Sequence, residues 1–309
     1  MIAKWKLKAV VQKTISFFPQ RERLNYWFQR YVTQGVQLTD EHFGYKARHA
    51  SDHIRYFRHY GQPTPDSRII ELGTGWYPIV PLFMYLTGTG RVTSLDIQDW
   101  MTYESQLTAV RKIQEWRALG KLDDLFPHLL PERWAALLQV LETPDRYDRE
   151  RFNELIRLTP LLQDARRTAF PTQSIDFICS NNTFEHIYPD VLEGILAEFK
   201  RLLRPGGVMS HFVDLSDHFA HFDSSINIYN FLRYSRRQWE RIDNSIQPQN
   251  RLRWRDYQQM YARVGIPITE EATRPGDLRA LEQVPLHAEY SSYPAAELAI
   301  SHGYLVTKG

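Results

Sequence analysis

The most informative stretch of the chain is Arg68-Ile69-Ile70-Glu71-Leu72-Gly73-Thr74-Gly75-Trp76-Tyr77-Pro78. An apolar run too short for a helix ends here in an acid, and a Gly-x-Gly turn follows. Pro78 then opens an apolar segment that ends near Leu86. This order predicts a buried strand, a tight turn and the start of a helix. The glycines let the turn come close to a ligand, because they adopt backbone conformations that a Cβ forbids.

Two ligand-binding motifs share this strand-turn-helix layout. The dinucleotide-binding motif has a third glycine three residues after the second, where it allows close packing of the helix on the strand. Pro78 occupies that position in this chain, and the acid Glu71 stands before the turn. The pattern therefore argues against a nicotinamide-dependent dehydrogenase.

The segment Glu71-Leu72-Gly73-Thr74-Gly75 instead resembles the first motif of the class I S-adenosylmethionine (SAM) methyltransferases. In that family an acid-x-Gly-x-Gly turn wraps the methionine part of the cofactor. The resemblance implies that this turn contributes the cofactor-binding residues Glu71, Gly73, Thr74 and Gly75. Tyr77 is a departure, since many members have a further glycine at that position. The alternative is an ordinary turn after a buried strand.

A second buried strand is predicted from Arg91 to Asp96. Asp96 lies about twenty residues beyond the glycines, as a carboxylate that binds both ribose hydroxyls should. Dehydrogenases use the same carboxylate, so the spacing indicates a nucleoside without naming the cofactor. A solvated acid at a strand end is the alternative. With the methyltransferase resemblance, Asp96 and the following Ile97 are both predicted to bind the cofactor.

A third motif comes later in the chain, in the order that the family shows. Asp164 and Ala165 stand ahead of a proline turn. The resemblance implies that Asp164 accepts the adenine amino group and that Ala165 backs the adenine ring. A strand with the family's apolar-Asp-apolar-apolar pattern then follows over residues 175–180.

The segment after that strand also matches the family, because it ends in Glu185-His186-Ile187. Its first residues, Asn181 and Asn182, are predicted to bind the cofactor. A helix from Pro189 to Leu203 and a tight Arg-Pro-Gly-Gly turn follow, as they do in the family before its fifth strand.

The resemblance covers about residues 66–214 and implies an α/β fold. The expected architecture is the Rossmann-like seven-stranded methyltransferase sheet, mostly parallel with an antiparallel last strand. Residues 252–264 and 266–273 resemble the family's last helix and sixth strand. Residues 302–308 are predicted to form the seventh strand, which the family inserts between its fifth and sixth.

The predicted domain organisation has two parts. Residues 1–65 form an N-terminal helical extension that covers the cofactor and acceptor site, and residues 66–309 form the SAM-binding domain. That domain is expected to carry insertions at about 100–160 and 215–250, the first of them helical, with helices over 101–119 and 132–141.

The N-terminal extension is predicted to contain three helices, over residues 3–18, 23–36 and 51–59, with Ser51 as the N-cap of the last. The first helix is basic and amphipathic. It either packs on the domain with its lysines solvated or lies weakly on an anionic membrane surface.

The segment from Leu215 to Asp223 is dense in His and Asp, which are suitable metal ligands. It shows no recognised ligand spacing, so no metal is predicted. Its position after a strand instead places it beside the acceptor, with His218 or His221 available to remove a proton. His186 is the third candidate base. Residues 225–234 are predicted to form an aromatic helix that either closes the acceptor pocket or packs in the core.

Charge and cysteine content limit the remaining choices. The formal net charge is only +2, although seven arginines between 233 and 255 lie among aromatic residues. They either grip phosphates of a nucleic acid or form a solvated face paired with acids. The single cysteine, Cys179, excludes an internal disulfide framework and a cysteine-based zinc site. No run of apolar residues is long enough to span a membrane, and a cytoplasmic location is expected.

These features predict a SAM-dependent methyltransferase with S-adenosylhomocysteine (SAH) as its product. The expected acceptor is a small molecule, with the methyl group going to a hydroxyl or an amine of a glycan or natural-product intermediate. Two alternatives remain: methylation of RNA or another nucleic acid, and a catalytically silent SAM-binding scaffold. The sequence does not indicate the oligomeric state.

Overall fold

The computed structural model describes residues 3–19, 21, 24 and 37–309. Within these residues a single seven-stranded sheet organises the chain. Its strands are β1 (Arg68–Leu72), β2 (Arg91–Asp96), β3 (Leu158–Leu162), β4 (Ile175–Asn181), β5 (Leu203–Asp214), β6 (Glu270–Arg274) and β7 (His302–Lys308).

The strand order is β3-β2-β1-β4-β5-β7-β6. The first five strands in this order pair in parallel, while β7 is antiparallel to both of its neighbours, β5 and β6. The predicted fold class is therefore confirmed. The order reverses between β1 and β4, and in open α/β sheets ligands bind at the carboxyl ends of the strands beside such a reversal.

The two central strands are buried on both faces, which explains their nearly continuous apolar sequences. Ile69 and its partner Phe177 point to one face and pack in the first core cluster. Ile70 and Ile178, one residue further along each strand, point to the opposite face and pack in the second cluster.

Helices cover both faces of the sheet. In the described residues they are α1 (Lys4–Ile15), α2 (Asp40–Tyr60), α3 (Ile79–Leu86), α4 (Tyr103–Ala118), α5 (Pro131–Glu142), α6 (Arg149–Leu155), α7 (Pro189–Leu202), α8 (Arg236–Ile242), α9 (Trp254–Val264), α10 (Leu278–Glu282) and α11 (Ala295–Leu298). The helices predicted over 101–119, 132–141, 189–203 and 252–264 are thus confirmed to within a few residues. None of these helices is long and apolar enough to cross a membrane.

The N-terminal region differs from its predicted helix pattern. One helix, α2, runs from Asp40 with Thr39 as its N-cap, so the predicted start at Ser51 is wrong. Ser51 lies in the middle of α2 and donates to the carbonyl of Leu125. Gly44 does not break the helix because Trp116 packs against it, where a Cβ would lie 2.2 Å from the indole ring. The helix predicted over residues 23–36 lies outside the described residues, apart from Leu24.

Two further segments differ from the prediction. Residues 225–234 form no α-helix, because side chains such as Asn227 bond to the local backbone and only a 3₁₀ turn, Asn230–Arg233, remains. Strand β3 was not predicted. It lies at the edge of the sheet, is only partly buried and contains Pro160, so its sequence lacks the apolar pattern of the inner strands.

Helix α1 packs on a third core cluster, built largely from the segments after β5. Trp5 and Ala9 are buried in this cluster, and the ring of Trp5 lies 5.7 Å from that of Phe219. The backbone amide of Trp5 also donates to the Asp223 carboxylate at 2.9 Å. These contacts agree with the first of the two alternatives for the basic helix, in which it packs on the domain.

Candidate active site

The turn after β1 uses its two glycines for different reasons. Both have positive φ angles, +75° at Gly73 and +71° at Gly75. At Gly73 a Cβ would also lie 2.5 Å from the hydroxyl of Thr183. At Gly75 a Cβ would meet no atom within 4 Å, so this backbone faces open space. The turn therefore presents a bare backbone surface to a ligand, at the reversal in strand order.

A chain of hydroxyl groups holds the acid of this turn. Thr74 donates a 2.5 Å hydrogen bond to Oε2 of Glu71, and Ser94 on β2 donates to Thr74 at 2.7 Å. Burial raises the pKa of Glu71 to about 7, although the Thr74 hydrogen bond and the nearby Lys46 oppose this shift. Glu71 is thus a carboxyl group that changes charge near neutral pH.

Asp96 ends β2 directly beside this turn. Its Oδ1 accepts hydrogen bonds from the backbone amides of Ile97, at 2.8 Å, and Gln98, at 3.2 Å. The backbone of Gly75 also faces the carboxylate. Burial raises the pKa of Asp96, and these amides oppose the shift. The structure thus brings together Gly75 and Asp96, which the sequence places about twenty residues apart.

The predicted adenine-binding residues lie at the end of the next strand. The amide of Gln163 donates to the carbonyl of Asp96 at 3.0 Å, so the loop after β3 adjoins the end of β2. The Asp164 carboxylate is exposed and is held by Arg166, whose guanidinium approaches to 2.6 Å. Ala165 is buried, whereas the side chain of Ile97 is 76% exposed. An apolar surface and a carboxylate therefore stand together at this edge.

Asn181, the last residue of β4, and Asn182, which follows it, lie at the same edge. Asn181 is buried, and neither its amide oxygen nor its amide nitrogen has a hydrogen-bond partner among the described residues. Asn182 has a φ of +51°, and its backbone amide donates to the carbonyl of Phe212 on β5. An unpartnered buried amide is costly, and Asn181 therefore has hydrogen-bonding capacity left for a ligand.

Helix α2 adds two residues that sequence reasoning missed. Lys46 is half-buried and close to the carboxylates of Glu71 and Asp96, which raise its pKa against the larger lowering effect of burial. Tyr45 lies close to Asn182. The sequence offers one indication of these two residues, which is their position beside Gly44 in a helical segment. Only the packing of α2 shows which of its side chains reach the sheet edge.

The three candidate bases also lie together, on the β4–β5 side of this edge. His186 donates from Nδ1 to the carbonyl oxygen of Pro248 at 2.8 Å, and burial lowers its pKa to about 4. Nε2 of His218 lies 3.2 Å from Oδ2 of Asp214, and the rings of His186 and His218 are 4.8 Å apart. Nε2 of His221 lies 3.3 Å from the hydroxyl of Ser216.

All three histidines line one cavity of about 200 Å³. Helix α1 covers part of it with Lys8 and Gln12. Most of its lining residues have polar side chains, among them Asp243, Asn244, Gln247 and Gln249. A compact polar molecule can therefore reach three imidazoles here.

Three other histidines are structural. His49, His53 and His211 are fully buried between the sheet and its helices, and their Nε2 atoms have no partner within the described part of the chain. Burial lowers their pKa values to about 2, 4 and 3 respectively. His53 and His211 are anchored through Nδ1 by Ser210 and Ser180, each at 2.8 Å.

Three of the seven arginines between residues 233 and 255 make contacts within the fold. Arg251 and Arg253 are buried and donate to backbone carbonyls, including those of Phe231 and Leu215. Arg255 pairs with Glu297 at 2.5 Å. The indoles of Trp239 and Trp254 are buried as well. These side chains are therefore not available to contact a nucleic acid.

Comparison with known proteins gives one family match within the chain. A family model described as a methyltransferase domain matches residues 139–210, which include the loop after β3 and the whole of β4. No curated protein sequence gives a significant match.

Several solved methyltransferase structures are similar at low identity. A geranyl diphosphate C-methyltransferase from Streptomyces coelicolor A3(2) is 12% identical, with a TM-score of 0.44 over 96% of this chain and 86% of that one. The Burkholderia thailandensis 1,6-didemethyltoxoflavin-N1-methyltransferase is 14% identical, with a TM-score of 0.46 over 100% and 91%.

A complex between the Haloferax volcanii Trm112 methyltransferase activator and a methyltransferase matches at 17% identity, with a TM-score of 0.47 over 92% and 94% of the two chains. At these identities and scores, the three structures indicate neither the acceptor nor a partner of this chain. The family model thus matches a methyltransferase domain over part of the chain, and the sheet has the strand order expected of a class I SAM-dependent methyltransferase, with one reversed strand.

Proposed function

We propose that this enzyme transfers the methyl group of SAM to a hydroxyl or amine of a small molecule bound in the histidine-lined cavity. One observation carries the proposal. The bare turn at Gly75, the ribose-type carboxylate Asp96 and the unpartnered amide of Asn181 stand at one sheet edge, and the cavity opens on the β4–β5 side of it.

The residues at this edge fit SAM by their chemistry. Asp96 would accept hydrogen bonds from the ribose hydroxyls, and the exposed side chain of Ile97 would cover a face of adenine. Asp164 would accept the adenine amino group, in competition with Arg166. The backbone at Gly75 and the amide of Asn181 would contact the methionine part.

Lys46 is a further candidate for the cofactor site. Its ammonium group lies close to Glu71 at the turn that wraps the methionine part. A cation there would pair with the carboxylate of the methionine. We therefore add Lys46 to the cofactor-binding residues proposed above.

The chain's own contribution to the reaction is mainly alignment. SAM supplies a methyl group on a positively charged sulfur, which is a good leaving group. Holding the acceptor atom in line with that methyl can supply up to about 7–11 kcal/mol of the barrier. A hydroxyl acceptor also has a proton to lose, and a group that assists this loss adds about 10²–10⁴-fold. The cluster of His186, His218 and His221 is placed to activate such an acceptor.

Two features favour a small acceptor over a nucleic acid. The cavity is compact and partly covered by α1, whereas a nucleic acid needs an open cationic groove. Arg251 and Arg253 are buried donors to carbonyls, so the apparent basic patch is smaller than the sequence indicates. The cytoplasmic location stays a prediction.

Transfer of a labelled methyl group tests the proposal. The purified chain is incubated with methyl-tritiated SAM and, separately, with the small-molecule fraction and the RNA fraction of a cell extract. We expect label to enter the small-molecule fraction and to be lost in an Asp96→Ala variant, with Asp124→Ala, an exposed acid, as the matched control. Label in RNA alone would favour the nucleic-acid alternative. SAH binding without any transfer would favour the silent scaffold.

A further inference from the structure

Five potential metal ligands converge beside the acceptor cavity. The ligand atoms of Asp214, His218 and His221 all lie within 4.8 Å of one another, and so do those of Glu185, His186 and His218. His218 belongs to both groups, so the two share one centre. His302 lies behind Asp214, with its Nε2 3.3 Å from Oδ1. The residues come from the ends of β4 and β5 and from the start of β7, which explains why no local spacing reveals them.

Glu185 gives an independent reason to expect a cation here. Its side chain is only 2% exposed, and neither carboxylate oxygen has a hydrogen-bond partner among the described residues. The backbone amides of Glu185 and Asp214 face it but fall short of hydrogen-bond geometry. The carboxylate of Asp214, which is also buried, is near enough to repel a negative charge on Glu185. Two adjacent buried carboxylates need a positive partner.

The histidines are oriented as ligands. Nδ1 of His186 faces the carbonyl oxygen of Pro248, so it must carry the proton, and Nε2 keeps its lone pair. A backbone carbonyl on the other ring nitrogen is the usual support of a metal-bound histidine. Nε2 of His218 faces Asp214 at 3.2 Å without forming a hydrogen bond, as two ligands directed at a common point would.

We propose that this cluster binds a divalent first-row transition metal ion, held centrally by Asp214, His218 and His221 and completed by Glu185 and His186. Two carboxylates and neutral imidazoles match the charge of a divalent ion. The imidazoles favour ions such as Zn²⁺, Mn²⁺ or Co²⁺ over Mg²⁺ and Ca²⁺. Bond lengths of about 2.0–2.2 Å place ligand atoms roughly 3–4.4 Å apart, which is close to the 4.8 Å within which the atoms of each group lie.

The cavity leaves the ion accessible on one side. His186, His218 and His221 line it, so a coordination position remains for water or for an acceptor oxygen. Lys8 faces the same cavity and lies close to His221, so its charge opposes the ion. A role of the ion in lowering the pKa of an acceptor hydroxyl rests on the proposed function, whereas binding of the ion does not.

Titration of the metal-free full-length chain tests the site. Zn²⁺, Mn²⁺, Co²⁺ and, as the contrasting ion, Mg²⁺ are each titrated by calorimetry, and Co²⁺ binding is also followed by its visible absorption. We expect one transition ion per chain and a Co²⁺ spectrum with nitrogen ligands. His221→Ala, in the least buried of the ligands, should weaken binding at least about tenfold, and Lys8→Gln should strengthen it.

Two variants keep the result interpretable. His128→Ala removes an exposed histidine outside the cluster and should leave metal affinity unchanged. Glu185→Gln keeps the side-chain volume and should abolish tight binding. Absence of transition-metal binding would overturn the proposal. So would metal affinities of His221→Ala and Glu185→Gln that equal the affinity of the unmodified protein. SAH titrated into the same samples separates the two ideas: SAH binding without metal binding removes the metal site alone, and failure to bind SAH removes the proposed function.

Discussion

The hydroxyl of Thr74 donates a 2.5 Å hydrogen bond to Oε2 of Glu71, across the turn that follows β1. Since a hydroxyl has one proton, Thr74 accepts its second bond from Ser94 on β2. The turn is thereby tied to two strands through a carboxyl group that ionises near neutral pH. The charge of this one side chain therefore influences both the stability of the turn and its affinity for a cationic ligand.

The affinity for SAM should rise with pH. Burial holds the pKa of Glu71 at about 7, and a sulfonium cofactor prefers the ionised form. SAM affinity measured by calorimetry should increase between pH 6 and pH 8, by at most about tenfold per pH unit below the pKa. Glu71→Gln should flatten this dependence, and a profile that Glu71→Gln leaves unchanged would refute the assignment.

The raised pKa of Glu71 has the opposite effect on the stability of the protein without SAM. The pKa of Glu71 is higher in the folded state than its ordinary value of 4.5, so the folded state binds more protons between these values. This group therefore contributes stability at low pH that is lost as the pH rises through about 7. Bound SAM should reduce this loss, and chemical denaturation at several pH values, with and without SAM, measures the difference.

Lys46 should set the midpoint of the pH profile. Its positive charge lowers the pKa of Glu71, so Lys46→Met should move the rise in SAM affinity to higher pH. Lys46→Arg keeps the charge and should leave the midpoint nearly in place. An identical midpoint in Lys46→Met and the unmodified protein would show that the lysine does not influence this carboxyl group.

The two glycines of the turn should respond differently to alanine. Gly73→Ala places a Cβ against Thr183 at a positive φ, and should lower the free energy of unfolding by about 2–3 kcal/mol. Gly75→Ala meets only open space and should cost about 1 kcal/mol of backbone strain. It should instead weaken SAH binding, since its methyl group enters the cofactor's space. Equal losses of stability in the two variants would contradict this account.

The buried histidines should make the protein sensitive to acid. The pKa values of His49, His53 and His211 are lowered in the folded state, so the unfolded state binds more protons below about pH 6.5. Stability present above pH 6.5 is therefore lost as the pH falls towards 4. Three protons give a slope of up to about 4 kcal/mol per pH unit.

A paired substitution isolates one of these protons. Ser180→Ala with His211→Phe replaces both members of a hydrogen-bonded pair by apolar groups, and should reduce the slope by about one third. His128→Ala, which removes an exposed histidine, should leave it unchanged. Denaturant titrations between pH 4.5 and 7 measure the slope. A slope that the paired substitution leaves unchanged would exclude His211 as a source.

The sequence predicts the central sheet well because its signals are local. The strand, the turn and the helix around Gly73 follow from neighbouring residues, and Asp96 follows from a fixed spacing. Strand β3 escapes prediction because an edge strand with Pro160 needs no continuous apolar pattern. Residues 225–234 read as a helix because their apolar residues are spaced like one, although asparagine side chains bond to the backbone there.

The residues of the candidate site can be predicted from the sequence only where they lie on one strand or directly after it. Lys46 reaches Glu71 because α2 packs across the sheet edge, and no spacing in the sequence encodes that approach. His186 and His218 are recognisable as reactive residue types, but their meeting depends on how β4 and β5 end. Arg253 looks like a surface cation until the fold buries it beside three carbonyls.

Calorimetric titration of SAH into the full-length chain tests the central claim most directly. We expect one SAH per chain, with Asp96→Ala weakening the affinity at least about tenfold and Asp124→Ala leaving it unchanged. A folded protein that binds no SAH, or one whose affinity is indifferent to Asp96→Ala, would contradict a cofactor site at the carboxyl ends of β1 and β2.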